Sequence, residues 1–157
     1  MSSNWSLLVV EDEPLIAMLL VDLLDELGCT VAAQASSVAE GLDRANGTLF
    51  DAAILDVSFR GQPVWPLADA LQGKGIRFAL ATGYDGRQTQ RRYPSAAVLA
   101  KPYALENLRQ ALDALRAFKL LASAGLAPNR NDVLEFWVLR SQHLLKLVRQ
   151  FGHREGF

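Results

Sequence analysis

Several things are scarce in this sequence. Cysteine is nearly absent: Cys29 stands alone, so no internal disulfide can form and a reducing compartment is expected. Net charge is also small, −1 at neutral pH, so no global field draws the chain to nucleic acid or to an anionic membrane. Long apolar runs are missing too. The stretch Leu15 to Val21 is followed at once by Asp22, and it falls well short of the roughly 20 residues that a membrane-spanning helix needs. The opening residues, MSSNWS, have neither the basic nor the apolar region of a signal peptide. There is no internal repeat and no low-complexity tract. These absences exclude a disulfide scaffold, a transmembrane protein and a basic DNA-binding domain. The expectation is a cytoplasmic, soluble protein with no DNA and no membrane contact.

What is present is enough for a core. Of 157 residues, 50% are hydrophobic and 21% charged, which argues against disorder. Strand-length apolar runs recur at LLVV (7–10), TVAAQA (30–35), AAILDV (52–57), RFALAT (77–82) and AVLA (97–100). Several are apolar on both faces, as in a parallel sheet covered on both sides. Helix signals lie between them. Pro14 fits a first helical position after Glu13, and Gly28 fits just past the helix end. Ser37 with Glu40 makes a capping-box pattern, and Asn46-Gly47 closes that helix. Pro66 opens a short third helix that Gly73 ends. The connection GYDGRQTQRRYPSA is polar and glycine-bearing, so its helix should be brief. Leu105, Leu108, Leu112 and Leu115 form one stripe of a fifth. Strand and helix alternate in the manner of a doubly wound α/β domain over residues 5–122. Past the Ala127-Pro128-Asn129 break, residues 128–157 form an extension. Its segment 131–151 reads as a helix with a wide apolar face that includes Phe136 and Trp137. That face packs either on the domain, on a second copy, or on a partner.

Chemistry in an open α/β sheet gathers at the carboxyl ends of the strands. Glu11 and Asp12 end the first strand, Asp56 the third, Thr82 the fourth and Lys101 the fifth. Acidic residues in the segment EDE can also cap the helix that begins at Pro14, but capping explains neither Asp56 nor Lys101. Gathered carboxylates repel, by roughly 4 kcal/mol for two charges at 4 Å and an effective dielectric near 20. A divalent cation with oxygen ligands offsets this, and Mg²⁺ is the natural choice. Lys101 adds a point charge. A carboxylate in such a cup can attack phosphorus and form an aspartyl phosphate.

The ordered set of acidic pair, lone aspartate (ILDV), Thr-Gly (ATG) and Lys-Pro (AKP) resembles the receiver domain of two-component response regulators. The resemblance covers about residues 5 to 122. It implies a flavodoxin-like, five-stranded parallel sheet of order 2-1-3-4-5 with helices on both faces. By position it also implies that Asp56 is the phosphoacceptor and that Glu11 and Asp12 bind Mg²⁺ together with Asp56 and the backbone carbonyl of Ser58. Thr82 is then the switch hydroxyl, Lys101 the lysine that contacts the phosphoryl group, and Gly83 the small residue that leaves the site open. The peptide to Pro102 is often cis in this family. The implied partner is a histidine kinase or a histidine phosphotransfer protein, and the implied protein is a regulatory phosphoacceptor, not an enzyme. One departure stands out: an aromatic switch residue is common three positions before the lysine, where this chain has Val98, and Tyr84 and Tyr103 are candidate substitutes. The segment ATGYDG is similar to that of mostly stand-alone regulators with atypical switching.

Competing readings remain at this point. A phosphate sink or shuttle shares the chemistry without an output. A Mg²⁺-dependent phosphohydrolase usually carries a DxD pattern, whereas Asp56-Val57-Ser58 lacks the second acid. A flavin-binding domain wants hydroxyls, not carboxylates, after strand one. Leu15 to Val21 is apolar all round, which favours a well-buried first helix over one whose exposed part docks on a kinase helical bundle. Arg87, Arg91 and Arg92 read as a solvated face. His143 and His153 have no second metal-ligand residue at suitable spacing, and Cys29 reads as a small buried hydrophobe.

Overall fold

The computed structural model describes residues 4–57, 62–83, 87–94 and 96–123. Ser58, Tyr84 and the whole extension, 128–157, lie outside the described residues. Among the described residues, five strands alternate with five helices: β1 (Ser6–Val10), α1 (Pro14–Glu26), β2 (Thr30–Ala35), α2 (Val38–Gly47), β3 (Ala52–Asp56), α3 (Trp65–Gly73), β4 (Arg77–Thr82), α4 (Arg87–Arg92), β5 (Ala97–Ala100) and α5 (Leu105–Ser123). The sheet is parallel throughout, in the order β2-β1-β3-β4-β5. The alternating pattern implied a doubly wound α/β domain, and this order is the flavodoxin-like one that the resemblance implied.

The pleat sorts the core into two halves. Leu7, Val9 and Ile54 point to one face, where they meet Leu20 and Leu24 of α1 and Leu108, Leu112 and Leu115 of α5. Leu8, Val10, Leu55 and Leu80 point to the other, against Leu67 and Leu71 of α3, Ala45 of α2 and Tyr93 just past α4. The central strand β3 is buried along its whole length, which explains why AAILD shows no alternation. Each fully buried leucine contributes roughly 1.5–3 kcal/mol.

Local signals act as the sequence implies, with two refinements. The Ser37 hydroxyl accepts from the Glu40 amide at 3.1 Å. The Glu40 carboxylate reaches back not to Ser37 but to Ser36, whose amide and hydroxyl donate to it at 3.2 and 3.1 Å. Helix α3 begins at Trp65, with Pro66 in its first turn. Gly28 takes φ +76° just past α1, the left-handed conformation a helix end commonly requires. Gly41 has a packing role: a methyl there would lie 2.6 Å from Leu67 Cδ2, so its absence lets α2 close on α3.

One expectation is corrected. The apolar run Leu15 to Val21 is not well buried. Leu20 and Leu24 are buried in α1, while Leu15, Met18 and Leu19 are 74, 63 and 46% exposed. A helix touches the sheet along one stripe of its 3.6-residue period. Among the described residues, nothing covers the opposite stripe. Cys29 is buried, as expected, and its Sγ accepts from Arg116 Nη2 at 3.4 Å.

Candidate phosphoacceptor and metal site

Backbone hydrogen bonds carry the sheet pattern just past the strand ends and so fix the rim. The Glu11 amide donates to Ala35 O, the Val57 amide to Ala81 O and the Lys101 amide to Thr82 O, at 3.0, 2.9 and 3.0 Å. Asp56 sits beside Ala81, and Thr82 beside Ala100, in parallel register. Residues distant in sequence are thereby delivered to one edge.

The side chains converge. Lys101 Nζ donates to Glu11 Oε2 at 3.1 Å and lies 2.9 Å from Asp56 Oδ2, so one ammonium bridges two strands' carboxylates. Glu11, Asp56 and Thr82 are all buried. Carboxylate oxygens of Glu11, Asp12 and Asp56 lie within 4.8 Å of one another. Glu11 Oε1 also accepts from the Glu13 amide at 3.3 Å. Thr82 ends β4 at the same rim, and Gly83 follows it; a methyl on Gly83 would meet nothing within 4 Å. The Lys101–Pro102 peptide is cis.

Burial, chiefly, pushes the Glu11 carboxyl up to about 7; Lys101 pulls it down, but the Asp56 charge adds to the rise. Burial would lower the Lys101 pKa, yet its bonds to Asp56 and Glu11 outweigh this and raise it. The Lys101 ammonium and the Glu11 carboxylate thus shift each other's protonation. The donor set is all oxygen and acidic, which fits a hard divalent cation such as Mg²⁺. Glu11, Asp12 and Asp56 are the described residues able to hold it. Ser58, whose carbonyl the resemblance adds, lies outside them.

Two residues were not anticipated in their roles. Tyr103, a candidate substitute for the missing aromatic, turns its hydroxyl toward Glu11 Oε2 at 3.5 Å, the long limit of a hydrogen bond. Burial and then the Glu11 and Asp56 charges raise its pKa, so it stays protonated. Its place just after the Lys-Pro turn was the available signal. Tyr93, at 2% exposure, fills the α3–α4 side; nothing in the polar run around it marks it as core. Val98 is 37% exposed on β5. Cys29, Arg91 and Arg92 stay outside the cluster.

No protein-family model matches the chain, and no curated protein sequence does. Solved structures match closely. The solution structure of SdrG from Sphingomonas melonis Fr1 is 41% identical, covers 74% of this chain and 99% of its own, and superposes with a TM-score of 0.65. The BeF3-activated conformation of SdrG from Pseudomonas melonis Fr1 is also 41% identical, over 73% of this chain and 98% of its own, with a TM-score of 0.64. The signal receiver domain of a modulated diguanylate cyclase from Desulfovibrio desulfuricans G20 is 27% identical, over 75% of this chain and 98% of its own, with a TM-score of 0.66. A buried aspartate at the end of the central strand, an acidic rim and a bridging lysine sit together on a parallel sheet of order 2-1-3-4-5. The chain belongs to the response-regulator receiver domains.

Proposed function

We propose that this protein is a phosphorylation-dependent signalling switch in which Asp56 accepts a phosphoryl group, with Mg²⁺, from a histidine kinase or histidine phosphotransfer protein. The observation that carries this reading is the single Lys101 ammonium held between Glu11 and Asp56 at 3.1 and 2.9 Å, on a buried acidic rim. The switching unit is residues 5–122, acting in the cytoplasm. Residues 128–157 are an extension available for homodimerisation or partner contact. Output runs through protein contacts rather than DNA, and the protein's own chemistry is limited to phosphoryl uptake and loss.

The residues divide the work by chemistry. An Asp56 carboxylate oxygen attacks phosphorus; the new P–O bond forms as the P–N bond to the donor imidazole breaks. The electron pair returns to the imidazole nitrogen, and an acyl phosphate remains on Asp56. Lys101 lies beside the attacked group and can transfer a donor hydrogen bond from carboxylate to phosphoryl oxygen. Thr82 supplies a hydroxyl donor from the neighbouring strand. Gly83 leaves the approach open. Glu11, Asp12, Asp56 and the Ser58 carbonyl would hold the cation; when bound, it neutralises charge on the transferred oxygens. The exposed Leu15, Met18 and Leu19 of α1 offer an apolar strip for the donor's helical bundle. A BeF3-activated conformation of the 41% identical SdrG supports the same reading.

The test is labelling by phosphoramidate, a small P–N donor, with Mg²⁺ and with EDTA. The expected result is a hydroxylamine-labile label in Mg²⁺ that EDTA reduces at least tenfold. Equal labelling in EDTA would remove the metal from the account.

A further inference from the structure

Tyr103 makes two kinds of contact, and packing accounts for one of them. The residue is half-buried and packs against the core cluster that includes Val9, Leu108 and Leu112. Its ring also lies near the Lys101 ammonium, 5.8 Å from the ring centre. A phenylalanine would serve both purposes. The hydroxyl does what a phenylalanine cannot: it donates to Glu11 Oε2 at 3.5 Å. Among the described residues it has no other acceptor.

The Glu11 carboxylate is held by three donors. The Glu13 amide donates to Oε1 at 3.3 Å. Lys101 Nζ donates to Oε2 at 3.1 Å, and the Tyr103 hydroxyl reaches the same oxygen. The Glu11 side chain is buried, so water does not readily replace a lost donor. The last torsion of a glutamate is broad. A donor on each oxygen is what fixes the plane of such a carboxylate. Of the two donors on Oε2, Lys101 is shared: it also lies 2.9 Å from Asp56 Oδ2. A phosphoryl group on Asp56 would draw that ammonium away from the carboxylates. The Tyr103 hydroxyl would then be the donor left on Oε2.

We propose that Tyr103 is a positioning residue for the metal site: its hydroxyl holds Glu11 Oε2, so that the Glu11 carboxylate stays turned toward Asp12 and Asp56 whether or not Lys101 is bonded to it. This rests on the reading of the rim as a Mg²⁺ site, and it adds a residue that itself touches neither the cation nor the phosphoryl group. Hydrogen-bond partners of metal-ligating side chains orient those ligands, and their removal commonly weakens metal binding roughly 10–100-fold. A contact as long as this one adds little to folding stability. Its effect is on orientation, which separates it from a packing role.

The test is a Mg²⁺ titration of the isotope-labelled full chain, followed through its backbone amide shifts. Wild type, Tyr103→Phe, Glu11→Gln and the double variant are compared. Tyr103→Phe keeps the packing and the ring beside Lys101. It should weaken Mg²⁺ binding about tenfold and leave the melting temperature in EDTA within about 2 °C of the wild type. In the Glu11→Gln background the same change should cost less than about twofold, because the carboxylate it orients is gone. Equal Mg²⁺ affinity in wild type and Tyr103→Phe would overturn the proposal. So would an equal loss in both backgrounds, which would place the action of the hydroxyl elsewhere, or a loss accompanied by a large drop in melting temperature, which would make Tyr103 a packing residue. Failure of the wild type itself to bind Mg²⁺ would overturn the metal reading of the rim and this proposal with it. Binding by the wild type with no effect of Tyr103 would overturn the proposal alone.

Discussion

Glu11 is where residue chemistry bears most directly on stability. Its folded pKa, about 7, lies above the carboxylate value of 4.5 because burial penalises its charge. A raised pKa means that the folded state holds the proton more tightly between those values. The contribution of Glu11 to stability is then full below pH 4.5 and is lost as pH rises through 7. In EDTA, the melting temperature of the wild type minus that of Glu11→Gln should therefore fall between pH 5 and pH 8, by roughly 2–4 °C per kcal/mol for a chain of this length. A difference that is flat or rises with pH would contradict the account. Mg²⁺ competes with that proton, so its binding should strengthen over the same interval. Glu11, Asp12, Asp56, Thr82 and Lys101 were legible in the sequence because each follows an apolar run, and strand ends must share a rim. Tyr103 was less legible, since its contact with Glu11 depends on how the chain turns after Lys101. Tyr93 was not legible at all: a lone aromatic after RQTQRR has no periodic neighbours to mark it as buried.

At the scale of elements, α1 is the instructive case. LIAMLLV is apolar around the whole helix, so periodicity could not say which stripe meets the sheet. The fold settles it: Leu20 and Leu24 face inward, and Leu15 and Met18 face out. Replacing both Leu15 and Met18 by serine should leave the urea midpoint nearly unchanged, within about 0.5 kcal/mol, because little burial is lost. The same double variant should slow phosphoryl transfer from a phosphorylated histidine kinase about tenfold or more while leaving acetyl phosphate uptake intact. A large drop in stability would show that the strip is covered after all; unchanged transfer would remove α1 from the docking surface. Other elements were readable from single residues: Pro14 and Gly28 bracket α1, Ser37 opens α2, and the polar run after Gly83 foretold a brief α4. Strand β5 was found from AVLA, but its half-exposed edge was not, because edge position depends on strand order rather than on the strand's own residues.

At the scale of the molecule, the parallel sheet brings four separate stretches of sequence to one edge. The strand order places β1 beside β3 and β3 beside β4, so the acidic pair, Asp56 and Thr82 lie on adjacent strands, and Lys101 reaches across from β5. That order was inferable from alternating strand and helix signals and from motif order together; neither alone separates it from other doubly wound sheets. The two halves of the core support that edge from both faces of the sheet. The central claim is that Asp56 is the phosphoacceptor. Its most direct test is the intact mass of wild type and Asp56→Asn after incubation with acetyl phosphate and Mg²⁺. The expected result is the gain of one phosphoryl group in the wild type and none in the variant; equal gain in both, or none in the wild type, would contradict the claim.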